Sequence, residues 1–467
     1  MTIDPKTLAE IDKKHLLHPA SSITQVMENG PTIMTSGKGV RVKDADGHEL
    51  LDGIAGLWCV NVGYGNEELG ETMKAAAGEM GYYHSFTGMS NPYQIELAGK
   101  LAKMAPGKLN RVFFGSSGSD ANDTILKIIW HYNNLKGRPE KRKVIARKLA
   151  YHGTSVSSAS LTGIFSFHTA FNLPIPNIMH TETPHFYRYG NPGESERDFS
   201  KRMADELEKM ILAEGPDTVA AFFAEPIMGA GGVIHPPEGY FEEIQKVVKK
   251  YDMLMVADEV ICGYGRLGVN FGSDLYGIEP DLMASAKGLT SGYFPMSAAY
   301  LTEEIYDVLK IGSDTIGGFM HGYTYSGHPI GCAVALKNLE IIERDKLVDN
   351  AANIGGYFHE QLNAMFNQHP HVGEVRGHGL LAGVQLMGDS ADKTFLDPSR
   401  KMAARIVASA YKKGLICRAL PSVNSIAFSP PLTLTKAEAD EMIGIFKDSL
   451  NEVFDAASAD DLKGPAV

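Results

Sequence analysis

Met253-Leu-Met-Val-Ala-Asp-Glu-Val260 and Leu282-Met-Ala-Ser-Ala-Lys-Gly288 decide how this chain of 467 residues is to be read. Each is a short apolar run that breaks off abruptly in charge. Runs of this length, apolar throughout, are the pattern of strands buried on both faces. Asp258 and Lys287 are 29 residues apart, the span of one strand–helix–strand unit. That spacing puts an acid and an amine on neighbouring strands at one sheet edge, where open α/β sheets hold their ligands.

Working outward, Val112-Phe-Phe, Lys143-Val-Ile-Ala146 and Val219-Ala-Ala-Phe-Phe-Ala224 are further runs of strand length. Helical patterns separate several of them, as at 199–213 and 240–251. After Val112-Phe-Phe comes the turn Gly115-Ser-Ser-Gly-Ser119, and Ala121, Ile125, Ile128, Ile129 and Tyr132 then recur at helical spacing. Alternation of this kind predicts an α/β domain with a mostly parallel sheet. Residues 39–52 read as a hairpin turning at Asp46-Gly47. Beyond 330 the pattern changes to helices at 330–344 and 348–368, the stretch from Gly373, and a helix at 435–455. The expected division is an N-terminal segment 1–65 contributing to a small domain, a large domain 66–329, and a C-terminal small α+β domain 330–467. The polar tail from Ser458 is expected to be disordered.

Composition narrows the function. Hydrophobic residues are 44% and charged residues 21%, the ordinary globular class, and a formal charge of −12 leaves no basic surplus for nucleic acid. The basic stretch 136–143 is short and reads as a solvated loop. No secretory leader and no apolar run of membrane-spanning length is visible, so a cytoplasmic protein without a membrane partner is expected. Cys59, Cys262, Cys332 and Cys417 are widely spaced, which suits isolated thiols and predicts neither disulfides nor a metal site.

Asp258 alone reads equally well as a helix cap, and Lys287 alone as a surface lysine. Together they can grip a pyridoxal ring at both ends: the amine forms the imine, and the carboxylate keeps the ring nitrogen protonated. Ser117, Gly118 and Ser119 supply N–H groups and hydroxyls at a helix N-terminus, which suits a phosphate, although the same residues would also form a plain capping box. Gly263-Tyr-Gly-Arg-Leu-Gly268 matches the dinucleotide pattern G-x-G-x-x-G but does not join a strand directly to a helix, and is rejected.

Asp258-Glu-Val-Ile-Cys-Gly-Tyr-Gly-Arg-Leu-Gly268 and Ala286-Lys-Gly-Leu-Thr-Ser-Gly-Tyr-Phe-Pro-Met296 resemble the class III aminotransferases. So do Phe113-Phe-Gly-Ser-Ser-Gly-Ser-Asp-Ala-Asn-Asp-Thr124, Tyr151-His-Gly153, Glu225-Pro226 and His321-Gly-Tyr-Thr-Tyr-Ser-Gly-His-Pro329. The likeness runs from about Gly37 to Leu432. It implies the PLP-dependent transferase fold type I, with a mostly parallel seven-stranded sheet and a smaller α+β domain. It implies pyridoxal 5′-phosphate (PLP) as cofactor, Lys287 as the catalytic Schiff-base lysine with a lowered pKa, and Asp258 as partner of the ring nitrogen. Tyr151 and Val260 would flank the ring, Gly118 and Ser119 would hold the phosphate, and Glu225 would order the polar edge. Tyr323 and Thr324 would come from the second subunit of a homodimer, with a tetramer left open. Asp120 departs from the family, which usually has Glu there.

The same resemblance makes Arg418, after the apolar Leu415-Ile-Cys417, the grip for a substrate carboxylate. At Ala230, relatives that use 2-oxoglutarate usually carry a glutamate that neutralises this arginine. Ala230, with Trp58 and Phe86, matches the amine:pyruvate (ω-)transaminases. The expectation is transfer from an amine or ω-amino acid to a small keto acid, pyruvate, by a ping-pong mechanism, with Arg418 swinging aside or staying solvated when an uncharged amine enters. An aminomutase or decarboxylating relative, a 2-oxoglutarate-using ω-amino acid aminotransferase, and a PLP-binding protein without catalysis are the competing readings.

Overall fold

The computed structural model describes residues 4–464. Its strands are, in chain order, β1 (Met34–Lys38), β2 (Arg41–Asp44), β3 (Glu49–Asp52), β4 (Leu109–Gly115), β5 (Lys143–Arg147), β6 (Ile178–Thr181), β7 (Val219–Ala224) and β8 (Leu254–Asp258). There follow β9 (Leu282–Ser285), β10 (Ser297–Thr302), β11 (Val372–His378), β12 (Leu381–Asp389), β13 (Thr394–Phe395), β14 (Leu415–Ile416), β15 (Arg418–Leu420) and β16 (Ser425–Phe428).

Seven strands form the central sheet in the order β4-β10-β9-β8-β7-β5-β6. The pairs β9/β8, β8/β7, β7/β5 and β5/β6 are parallel, and β10 runs against both its neighbours. Layers on both faces explain why the strands read as continuous apolar runs. Every residue of β7 is buried. Its alternate side chains serve opposite cores: Phe222 packs with Phe199, Leu207 and Ile244, whereas Phe223 packs with Ile125, Leu126 and Ile129 of the helix Gly118–Leu135.

Two smaller sheets complete the fold. The first runs β1-β2-β3-β14 and joins the start of the chain to its end, since β14 lies parallel to β3. The hairpin β2–β3 turns where Asp46-Gly47 predicts it, with Gly47 at φ +89°. The second runs β11-β12-β16-β15, with β13 on β12.

Three expectations need correction. The connection from β8 to β9 is not a crossover helix but a long turn followed by the short helix Gly272–Tyr276. The tail is not loose up to residue 464: Asp461 pairs with Arg405 at 3.3 Å and the Lys463 carbonyl accepts from the Asp397 N–H at 3.1 Å. Nor is 136–143 wholly solvated, because Lys141 is buried and donates to the Tyr251 carbonyl at 2.8 Å. No described helix is long and apolar enough to cross a membrane.

Candidate active site

β8 ends on Asp258, which stands in register with Ala284 of β9, and Lys287 follows just past the end of β9. The adjacency expected from spacing is therefore real. The turn between the strands carries Gly265 and Gly268 in left-handed conformations, at φ +93° and +75°. It is filled by Arg266, fully buried, whose guanidinium donates to the carbonyls of Leu380 and Pro430 and to Asn61 Oδ1. The G-x-G-x-x-G pattern thus serves packing between layers.

Around Asp258 the polar groups are closely matched. Oδ2 accepts from His152 Nδ1–H and from Asn122 Nδ2–H, both at 2.8 Å, and Oδ1 accepts from the Val260 N–H at 3.1 Å. Burial alone would raise this carboxyl, but the hydrogen bonds from His152, Asn122 and Val260 outweigh it and hold the group below its ordinary value. His152 and Asn122 were given no role by sequence reasoning. Their signal lay inside the motifs Tyr151-His-Gly153 and Asp120-Ala-Asn122.

Burial lowers the Lys287 ammonium from its ordinary value, with Cys59, Asp258 and Glu225 as nearby acidic groups acting the other way. Glu225 is also buried and raised by that burial; its Oε1 accepts from the Tyr151 N–H at 3.1 Å and its Oε2 from the Gly229 N–H at 2.9 Å. Glu225 therefore fixes the position of Tyr151. The Tyr151 ring is backed edge-on by Phe167, with centroids 5.5 Å apart.

At the other end, Ser117 caps the helix Gly118–Leu135: its Oγ accepts from the Asp120 N–H, while Asp120 Oδ2 accepts from the N–H groups of Ser116 and Ser117. The capping box is present with Asp in place of Glu. Among the described residues the N–H groups of Gly118 and Ser119 make no hydrogen bond, so the box leaves an anion cradle open. A Cβ at Gly118 would stand 3.0 Å from a Val260 methyl, so any larger residue here would press on Val260.

Ser117, Gly118, Ser119, Tyr151, Glu225, Asp258, Val260 and Lys287 together line one cavity of about 310 Å³. The free N–H groups of Gly118 and Ser119, the Asp258 carboxylate and the buried Lys287 amine supply partners for the phosphate, the ring nitrogen and the aldehyde of PLP. The residues fit that group.

A second set lies beside this cavity. Arg418 sits over the face of Trp58, with its guanidinium carbon 4.6 Å from the ring centroid, and Lys287 Nζ is 5.8 Å from the same ring. Ala230 packs in the apolar cluster that contains Trp58, Ile227 and Val233. Burial lowers the Arg418 guanidinium, and among the described residues no carboxylate pairs with it. Phe86 is 43% exposed and packs against Gly322. Tyr323 donates to the Asp120 carbonyl at 3.1 Å, and the Thr324 carbonyl accepts from Tyr82 at 2.6 Å. None of Phe86, Tyr323 and Thr324 lines the cavity of its own chain.

The family model for the class-III aminotransferases matches residues 23–450. The chain belongs to the class III aminotransferases. As such it is a PLP-dependent enzyme of fold type I. This aminotransferase is 49% identical to an uncharacterized aminotransferase of Sinorhizobium fredii over 99% of this chain and 100% of the relative. It is 48% identical to the diaminobutyrate–2-oxoglutarate transaminase of Halomonas elongata, covering 97% of each chain. Among solved structures it matches the ω-transaminase of Pseudomonas jessenii in complex with PMP, with a TM-score of 0.93 at 43% identity over 96% of this chain and 98% of that one.

Proposed function

We propose that this aminotransferase takes the amino group of an amine or ω-amino acid and delivers it to pyruvate, in two half-reactions that alternate at one site. The observation that carries the reading is Ala230. With an apolar residue in the cluster around Trp58, Arg418 pairs with no carboxylate among the described residues, which supports its answering to a substrate carboxylate. The 2-oxoglutarate in the name of the Halomonas relative argues for the competing acceptor, and Ala230 argues against it here.

Bound PLP supplies an electron sink conjugated to the substrate carbon. The chain supplies the rest. Lys287 would hold the cofactor in the resting enzyme, and its Nζ, whose charged form burial disfavours, would be the group that carries the proton off the substrate carbon. Asp258, held ionised by His152 and Asn122, keeps the proton on the ring nitrogen. Tyr151 and Val260 would confine the ring between them, and Gly118 and Ser119 would bind the phosphate at the helix N-terminus. Arg418 orients a keto acid, while Trp58 and Phe86 give an uncharged amine an apolar wall.

The enzyme acts as a homodimer in this reading. Tyr323, Thr324 and Phe86 lie outside their own cavity beside the exposed apolar side chains Tyr82, Met320 and Tyr325, which supports their serving the cavity of a second copy.

The test is a panel of amine donors. A donor mixed with enzyme alone should convert the visible absorbance of bound PLP to that of pyridoxamine phosphate, and pyruvate should restore it. Release of carbon dioxide, or turnover without any keto acid, would overturn the reading.

A further inference from the structure

Lys287 has φ +43°, a left-handed conformation that a side chain disfavours, and Ser291 and Gly292 follow at φ +49° and +75°. Such a backbone persists only where its surroundings impose it. The group that does so comes from far along the chain. Asn338, fully buried on the helix Pro329–Arg344, donates through Nδ2 to the carbonyls of Gly288 and Leu289 at 2.8 and 2.9 Å. Its Oδ1 accepts from Ser291 Oγ at 2.6 Å, and Ser291 Oγ accepts in turn from the Val62 N–H at 3.2 Å. The amide has only one workable orientation: two carbonyls require its nitrogen, and the hydroxyl, already an acceptor from Val62, must donate to its oxygen.

We propose that Asn338 is a positioning residue for the catalytic lysine, clamping the loop 288–291 so that Lys287 keeps its left-handed backbone and its Nζ stays aimed into the cavity. The proposal rests on the reading of Lys287 as the residue that carries PLP. Asn338 touches neither the cavity nor the reacting atoms. It acts by fixing the two peptide groups that follow Lys287, which reach no other side-chain donor among the described residues.

Asn338→Asp tests this in the full-length, PLP-loaded enzyme. The change keeps the volume and removes both N–H donors, turning acceptors toward acceptors. The expected result is a fall in kcat of about ten- to a hundredfold, the cost of a misplaced catalytic group. The KM values for donor and acceptor should stay within about twofold. The pH midpoint of the cofactor's visible band should move by about half a unit or more. Should the aspartate variant not fold, Ser291→Ala, which frees the amide oxygen and the Val62 N–H but leaves both bonds from Asn338 Nδ2 in place, should show the same signs at smaller amplitude. Wild-type kcat and an unmoved band in a folded variant, with only a lowered Tm, would overturn the proposal. Undiminished activity of Lys287→Ala would instead refute the reading on which it rests.

Discussion

In the cavity the buried Asp258 carboxylate meets three donors, from His152, Asn122 and Val260; beside the cavity the half-buried Arg418 guanidinium lies against an indole and, among the described residues, pairs with no carboxylate. The first arrangement is permanent. The donors of His152, Asn122 and Val260 hold the carboxylate whatever substrate arrives, as a site for a resident cofactor requires. The second is incomplete by itself. Taking a cation out of water without a partner is unfavourable, and a cation–π contact returns only about 1–2 kcal/mol. An enzyme that must admit an amine in one half-reaction and a keto acid in the next gains from an arginine committed to neither.

Arg376 sharpens the contrast. It is fully buried, and it donates to the Gly232 carbonyl, Ser425 Oγ and Glu374, so its capacity is consumed within the protein. Two arginines of one sheet thus differ in whether the fold completes them or leaves them to a substrate.

The largest effect is expected from Lys287→Ala, which should lower turnover by about a thousandfold or more, since it removes the base and the cofactor's anchor. Steady-state assays with any good donor check this. Next is His152→Leu. Without the imidazole donor, burial should raise the Asp258 carboxyl, so activity should fall as pH is lowered. The acid limb of the kcat profile should shift upward, with a loss of about ten- to a hundredfold on its acid side that narrows at higher pH. An unshifted limb would mean that His152 does not hold the Asp258 carboxyl down, and the contrast with Arg418 would weaken.

Arg418→Leu should raise KM for pyruvate by about tenfold or more, the worth of a charge-assisted contact, and leave KM for an uncharged amine within about twofold. Equal losses for both substrates would mean that the arginine is structural. The smallest effect on activity is expected at Glu374→Gln. Glu374 is held at about 2 by His185 and Arg376 against the burial that would raise it, from an ordinary 4.5. Its pairing therefore stabilises the fold above pH 4.5 and ceases to do so as pH falls toward 2. Urea unfolding should show the variant less stable by up to about 3 kcal/mol at neutral pH, with the gap closing in acid, and kcat within about twofold of wild type.

How much of this was legible depended on whether a residue's meaning is local. Asp258 and Lys287 stood out because each ends an apolar run, and Ser117–Ser119 because they open a helix. Five of the seven central strands show as apolar runs. β6, Ile-Met-His-Thr, and β10, Ser-Ala-Ala-Tyr-Leu-Thr, do not, because their small and polar residues are covered by neighbouring layers and not by any pattern of their own. His152 and Asn122 acquire their role only by meeting Asp258, 106 and 136 residues away. Asn338 is likewise silent until the loop after Lys287 closes on it. Spacing along the chain locates the cofactor's two anchors, and only the fold shows what holds them.

Acceptor choice, in this proposal, follows from an alanine at 230 in the apolar cluster that contains Trp58, the ring on which Arg418 rests. Its most direct measurement is the ratio of kcat/KM for pyruvate to that for 2-oxoglutarate, with one amine donor, in the wild type and in Ala230→Glu. The prediction is a ratio above about ten in the wild type, the scale of one misplaced charge contact, falling several-fold when the carboxylate is supplied at 230. A wild-type ratio near one, unchanged in the variant, would contradict it.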